Sequence, residues 1–386
     1  MSCSQLVSAV ASVTVTKCVA VLFVATLGAS GVQAADRAVN QRLLELPNDR
    51  WVEIHRQRSD DAVTFPRQAH GGSAFDLKRG RIVLFGSDTH GTDWSNSPRY
   101  FDVASFTWGR AYPDDDPSSY RVRQDGIPVA GSDDSRPWAM HSFAAVTYDA
   151  LNDQIVVASY PQHLEPGRFT GAVAHLWRKI SRHPTWVFDL ETERWRALSS
   201  PATHFFPYAT TFDSHRAIVV GYRNDGIYEL AMDQKEPGWT YIAAASNRGY
   251  HTNAVYDSRR RRVIVAGRHD LSNDIFIYDP LTRRDRIMPT PRQRPPKFRH
   301  APMAFHQRKG VMVVLVDHAS KVAQRIGAAT WAYDPDVDGW LRIASATLPF
   351  SVGMNYNLHY DPLHNALLLV CDDADGVTAV WALKLS

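Results

Sequence analysis

The stretch Tyr250–Asp270, "YHTNAVYDSRRRRVIVAGRHD", decides the fold. It opens on His251, crosses a short apolar segment to an aromatic–acid pair, turns on charged residues, climbs a β-branched run and closes on Arg268 and His269. The same sentence is written earlier as "AHGGSAFDLKRGRIVLFGSDTH" (Ala69–His90) and later as "RHAPMAFHQRKGVMVVLVDH" (Arg299–His318). Alternating apolar residues on either side of a tight polar turn read as two antiparallel strands.

Working outward, six such units are found. Their first strands end in "SAFD", "VTYD", "TTFD", "AVYD", "MAFH" and "LHYD". Second strands are aliphatic ("RIVLFG", "QIVVAS", "AIVVGY", "VIVAG", "VMVVLV", "LLLVC"), and third strands carry an aromatic, as in "RYFD", "WVFD" and "WAYD". Fourth strands often begin with Trp: "FTWGRAY", "ERWRALS", "PGWTYIA", "DGWLRIA". A repeat of roughly 40–50 residues with four strands per unit predicts an all-β propeller. The sixth unit ends at Ser386 without a fourth strand, and an unpaired "DRWVEIH" lies at Asp49–His55. The N-terminal strand is therefore expected to complete the last blade, which removes the open sheet edges. The Trp-phased, four-stranded unit resembles the kelch repeat.

The bulk numbers set bounds. The chain has 386 residues, 43 basic and 40 acidic, a balance without the basic stripe of a nucleic-acid binder. Lys17, the apolar run "CVAVLFVATLGASGV" and the small residues of "VQAAD" read as a signal peptide over residues 1–35, leaving residues 36–386 as a single propeller domain. A secreted or periplasmic protein is expected, with no membrane insertion and as a monomer. Beyond that leader only Cys371 remains, so no disulfide framework is expected.

Propeller topology sorts the residues by face. The tight turns between first and second strands lie on one face, and the "RRRR" of Arg259–Arg262 belongs there as a solvated hairpin. The long segments Pro113–Pro137, Tyr160–Pro184 and Thr290–Phe298 fall on the other, where binding loops gather. That face receives His70, His141, Tyr208, His251, His300 and Asn355 at the entrances of the innermost strands. It also receives His90, His163, Arg223, Arg268, His269, His318, Asp372 and Asp373 at the exits of the second strands. Singly, His70, His90 and His318 read as structural; as a set, titratable groups at two phases of a repeat point to one axial site. Arg223, after a buried run, is expected to point into the funnel, and Tyr250, His251, Arg268 and His300 to bind substrate.

This set suits β-elimination on a uronate. Arg neutralises the carboxylate with a two-pronged donor set, which acidifies the C5 proton. A Tyr or His removes that proton, and an acid protonates the departing glycosidic oxygen. No cofactor or nucleophile is required.

His141 in "PWAMHSF", His163 in "YPQHLEP", Tyr208 in "FFPYATTFD" and Arg223 in "VVGYRNDG" resemble the active site of the β-propeller ulvan lyases. The resemblance implies an acidic polysaccharide as substrate, His141 and Tyr208 as the acid/base pair, Arg223 as neutraliser and His163 as a helper; either of the pair can take the proton. It further implies seven blades where six are counted, and for some members a structural zinc held by Cys and His. Cysteines do not support that zinc here; His251, His269, His300 and His318 are the imidazoles available for a metal. Rival readings are a kelch-type propeller that binds an acidic glycan or a protein, using Trp94, Trp138 and Trp177 for stacking; a copper oxidase with a Tyr–Cys cofactor; and a sialidase-type hydrolase, of which "SDTHGTDW" has only a superficial likeness.

Overall fold

The computed structural model describes residues 37–87, 93–161, 173–198, 206–289, 291, 293–319 and 326–386. Among these residues the strands form six four-stranded antiparallel sheets and one two-stranded hairpin. The innermost strands are Gly72–Asp76, Val146–Asp149, Ala209–Asp213, Asn253–Asp257, Met303–His306 and Leu358–Asp361. Each packs beside the next, and the sixth returns to the first, so the ring is closed. This is a six-bladed β-propeller, not the seven-bladed one that the ulvan-lyase resemblance implied.

The aromatic–acid marker of each first strand has a local cause. Asp76 Oδ1 accepts from the backbone N–H of Lys78 and Arg79, and Asp149, Asp213 and Asp257 do the same two and three residues on. Such a side chain ties down the turn that starts the second strand. In the fifth blade His306 takes the position, and its Nδ1 accepts from Lys309 N at 3.3 Å. The turn arginines close onto the same acids: Arg79 on Asp76, Arg216 on Asp213, Arg260 on Asp257. The "RRRR" run is thereby part of the hairpin architecture, as its topology suggested.

The last blade closes as expected. Val52–Arg56 pairs antiparallel with Thr378–Leu383, in the register Val52↔Ala382, Glu53↔Trp381, His55↔Val380 and Arg56↔Ala379. Trp51, just ahead of that strand, is 5% exposed and donates its Nε1–H to Thr330 Oγ1 at 2.8 Å, which lies in the neighbouring fifth blade. Two other outer tryptophans also end on a hydrogen bond: Trp239 Nε1 donates to Thr185 Oγ1 of the second blade at 2.9 Å and Trp195 Nε1 to the Tyr112 hydroxyl at 2.6 Å.

Among the described residues, two of the long upper segments carry secondary structure. The first carries the hairpin Arg121–Val122 with Pro128–Val129, and the second carries the 3-10 helix Ala174–Lys179. Trp138 is fully buried between them, with Nε1 donating to Val129 O at 2.9 Å, and Trp94 and Trp177 pack against the same cluster. A Trp committed to a core cannot stack on a sugar, so Trp138 leaves the set of possible glycan contacts.

Two imidazoles away from the upper face, the buried His306 and the half-buried His359, give the fold a pH dependence. Burial pushes the pKa of His306 down to about 4, with Lys309 and Arg308 adding a smaller downward push, and that of His359 down to about 3. In the unfolded chain both return to about 6.5. Between those values the unfolded state holds more protons, so stability is lost as pH falls from about 6.5 toward 4. Thermal melts at pH 7.5 and 4.5 should show a lower Tm in acid. His306→Asn, which keeps the turn acceptor and removes the titration, should flatten the slope; an unchanged slope would assign the acid loss elsewhere.

Candidate functional site

The upper face collects the entrance residues. Phe143 stands at their centre, 2% exposed. Its ring lies 5.5 Å from His70, 5.4 Å from His141, 5.5 Å from Tyr208, 5.1 Å from His251 and 5.9 Å from Tyr356, centroid to centroid. Residues from five blades thus converge on one aromatic hub. Neither Phe143 nor Tyr356 is titratable near neutral pH, and both escaped a reading that followed imidazoles; Phe143 lies two residues past His141, and Tyr356 next to Asn355.

The backbone at this face is strained in a repeated way. Phe143, Tyr208, His251 and His300 all have positive φ, at 47°, 59°, 62° and 55°. For residues with a Cβ the left-handed region costs roughly 1–2 kcal/mol each. Most other positive-φ residues, such as Asp153, Ala217, Arg261 and Asn365, fall in hairpin turns that ask for it. The entrances are instead held by bonds from blade to blade: Phe143 N donates to His70 O at 2.9 Å, Thr210 N to Ala144 O at 2.9 Å, His300 N to His251 O at 3.4 Å and Asn355 N to His300 O at 2.9 Å. Gly72, of the "HGG" motif, permits the first of these approaches, since a Cβ there would lie 1.8 Å from Phe143 O.

His141 is fully buried, and His70 covers it in a face-to-face stack at 4.2 Å and 17°. His70, read from its phase as structural, is thus part of the same group. Tyr208 is partly exposed, its ring against Phe206 at 4.2 Å, Tyr250 at 5.5 Å and His251 at 5.5 Å. Tyr250 is 43% exposed and faces His269 at 5.4 Å. His251 and His300 stand 4.2 Å apart, centroid to centroid. Burial first, then neighbouring His269, His70 and Arg299, lower the His251 pKa to about 4; burial, His251 and Arg299 lower that of His300 to about 3. Both rings are neutral at pH 7.

The arginines sit at the rim. Arg223 follows the strand Ile218–Tyr222 and its partly exposed guanidinium pairs with Asp225 Oδ1 at 3.0 Å, over the Tyr228 ring. It therefore leans along the rim toward the third strand, where the sequence suggested only the funnel. Arg268 is paired with Asp270, and its stem crosses Gly249 so closely that a Cβ there would meet it at 1.9 Å. Beside His300 a cleft of about 280 Å³ is lined by Lys297, Arg299 and Asp317, among others. A second cavity of about 240 Å³ lies among the innermost strands and reaches the hairpin residues Ser214, Ser258 and Gln307. Half of its lining is Ala, Val, Thr and Ser, and much of the rest is aromatic, with Tyr356 and His359 among it.

His163, with residues 162–172, and His90, with residues 88–92, lie outside the described residues. His318 is exposed and takes no part in the imidazole cluster found among them. Cys371 is buried in the apolar core between the last two blades, and burial pushes its thiol pKa up. The candidate metal cluster found among the described residues, His251, His269 and His300, does not include Cys371.

Fold and site together define a six-bladed β-propeller with an aromatic and imidazole cluster at one axial mouth. No protein-family model matches the chain, and no curated protein matches it. Among solved structures it is similar to a fungal alcohol oxidase of the AA5 family, in complex with copper, at 10% identity and a TM-score of 0.43, over 81% of this chain and 62% of that one. The chain thus spans less than two thirds of that enzyme's length, and likeness at this level carries no chemistry across.

Proposed function

We propose that the protein is a polysaccharide lyase that cleaves a uronate-containing polymer by β-elimination. The observation that supports it most is the convergence of Tyr208 with a cluster of imidazoles at the blade entrances, with Arg223 and Arg268 at neighbouring exits. Arg223 exchanges Asp225 for the substrate carboxylate. The base removes the proton on C5, the electron pair forms the C4–C5 double bond, the C4–O bond breaks, and the leaving oxygen takes a proton from the acid. Tyr208 is the accessible member of the acid/base pair and makes the sugar contact. His141, fully buried beneath His70, contributes only when the ring above it moves aside. Tyr250 and the cationic cleft beside His300 suit the flanking acidic sugars. A polymeric substrate requires an exported enzyme, which is consistent with the signal peptide we propose for residues 1–35.

The test is a panel of polyuronides and uronate-containing sulfated polymers incubated with the purified chain. A rise in the ultraviolet absorbance of a 4,5-unsaturated uronate is expected with at least one. Binding without cleavage, weakened by Arg223→Lys, would replace the lyase with a glycan-binding propeller.

A further inference from the structure

We propose that His251, His269 and His300 form a mononuclear site for a divalent first-row transition ion of the Zn²⁺ type, with a fourth position open to the axial depression. One ring nitrogen from each lies within 4.8 Å of those of the other two. A tetrahedral ion bound at ~2.0–2.1 Å holds its nitrogens about 3.3 Å apart, a closure that imidazole rotation about χ1 and χ2 supplies.

His269 is brought to the other two by a bond from its own N–H to Tyr250 O at 2.7 Å. Two further observations favour a metal over simple ring packing. First, His300 Nε2 is buried and makes no hydrogen bond among the described residues. A buried polar nitrogen without a partner costs stability, and a cation offsets that cost. Second, the other side of the His251 ring is already oriented: Nδ1 lies 3.2 Å from the Tyr356 hydroxyl. That contact leaves Nε2 as the ligand atom, the arrangement by which outer groups hold metal-binding histidines.

The donor set selects the ion. The cluster holds imidazoles and no carboxylate, which suits Zn²⁺, Co²⁺, Ni²⁺ or Cu²⁺ and not Mg²⁺ or Ca²⁺. His269 is exposed at the rim beside Tyr250, so the coordination sphere opens toward the depression. Three protein ligands with a free position suit an exchangeable oxygen ligand, water or a carboxylate. This site is separate from any thiolate zinc, and its existence does not depend on the lyase reading.

The experiment uses the untagged chain, stripped with a chelator and titrated with CoCl₂ by visible absorbance and with ZnCl₂ by calorimetry. One equivalent should bind, with the intense d–d bands of four-coordinate Co²⁺. His269→Ala, at an exposed position that should leave the metal-free melting temperature unchanged, should weaken binding by at least 10²-fold. His251→Ala and His300→Ala should do likewise, and Tyr356→Phe should cost about tenfold. His215→Ala, on the hairpin face, should bind as wild type. A wild-type chain that takes up no equivalent of either ion, or His269→Ala that binds undiminished, overturns the site.

Discussion

Tyr208→Phe should lower the rate of uronate elimination by about 10²-fold or more, the scale of a general acid–base group. The substitution removes one hydroxyl and keeps the ring. The contacts with Phe206, Phe143 and His251 are ring contacts, so the cluster should survive. The loss should appear in kcat, because the proton moves only in the transition state. Arg223→Lys should fall comparably although it keeps the charge, because one ammonium cannot give a carboxylate two parallel bonds. His318→Ala, exposed on the fifth blade, is the indifferent control. His70→Ala is not, since its ring covers His141. Near-normal elimination by both Tyr208→Phe and Arg223→Lys would move the chemistry elsewhere on the molecule.

The second large effect is on stability. Trp51→Ala should destabilise the propeller by about 3–5 kcal/mol, the usual cost of emptying a buried Trp site. Trp51 belongs to the buried apolar cluster of the last two blades, together with Leu348, Leu358, Leu367 and Leu383. Its loss also strands the fully buried Thr330 hydroxyl. Because the strand it introduces is the one that closes the ring, the damage should extend to the whole unfolding transition. Trp51→Phe, which keeps most of the apolar volume, should lose distinctly less. Thermal melting of the three chains decides: equal melting temperatures would mean that the closing strand adds little to the ring.

Much of the fold could be read in the sequence because its markers have local physical causes. "SAFD" and "AVYD" recur because an acid at the end of each innermost strand caps the turn that follows. "MAFH" departs from the pattern and still fits, because His306 Nδ1 accepts the same kind of bond. The closing strand could be read from a simple deficit, a missing partner at the C-terminus and a spare Trp strand near the N-terminus.

The site was legible in position and less so in orientation. Repeat phase placed His141, Tyr208, His251 and His300 at one mouth. It could not say that His141 is buried under His70, or that Arg223 turns to Asp225, because rotamers and stacking follow from neighbours on other blades. Trp138 read as a stacking surface because nothing local marks a loop residue as core. Phe143 and Tyr356 went unnoticed since a search for titratable groups passes over the residues that hold them together. The clustering of His251 and His300 with His269, which comes from a different phase, is likewise a product of packing.

The most direct test of the central claim is the mass of the products. The wild-type chain, incubated with the polyuronide it cleaves best, should release oligosaccharides whose new non-reducing ends are lighter by one water than hydrolysis would leave, with the unsaturated-uronate absorbance rising in step. Products carrying that water, or intact polymer across the whole panel, would contradict β-elimination at this site.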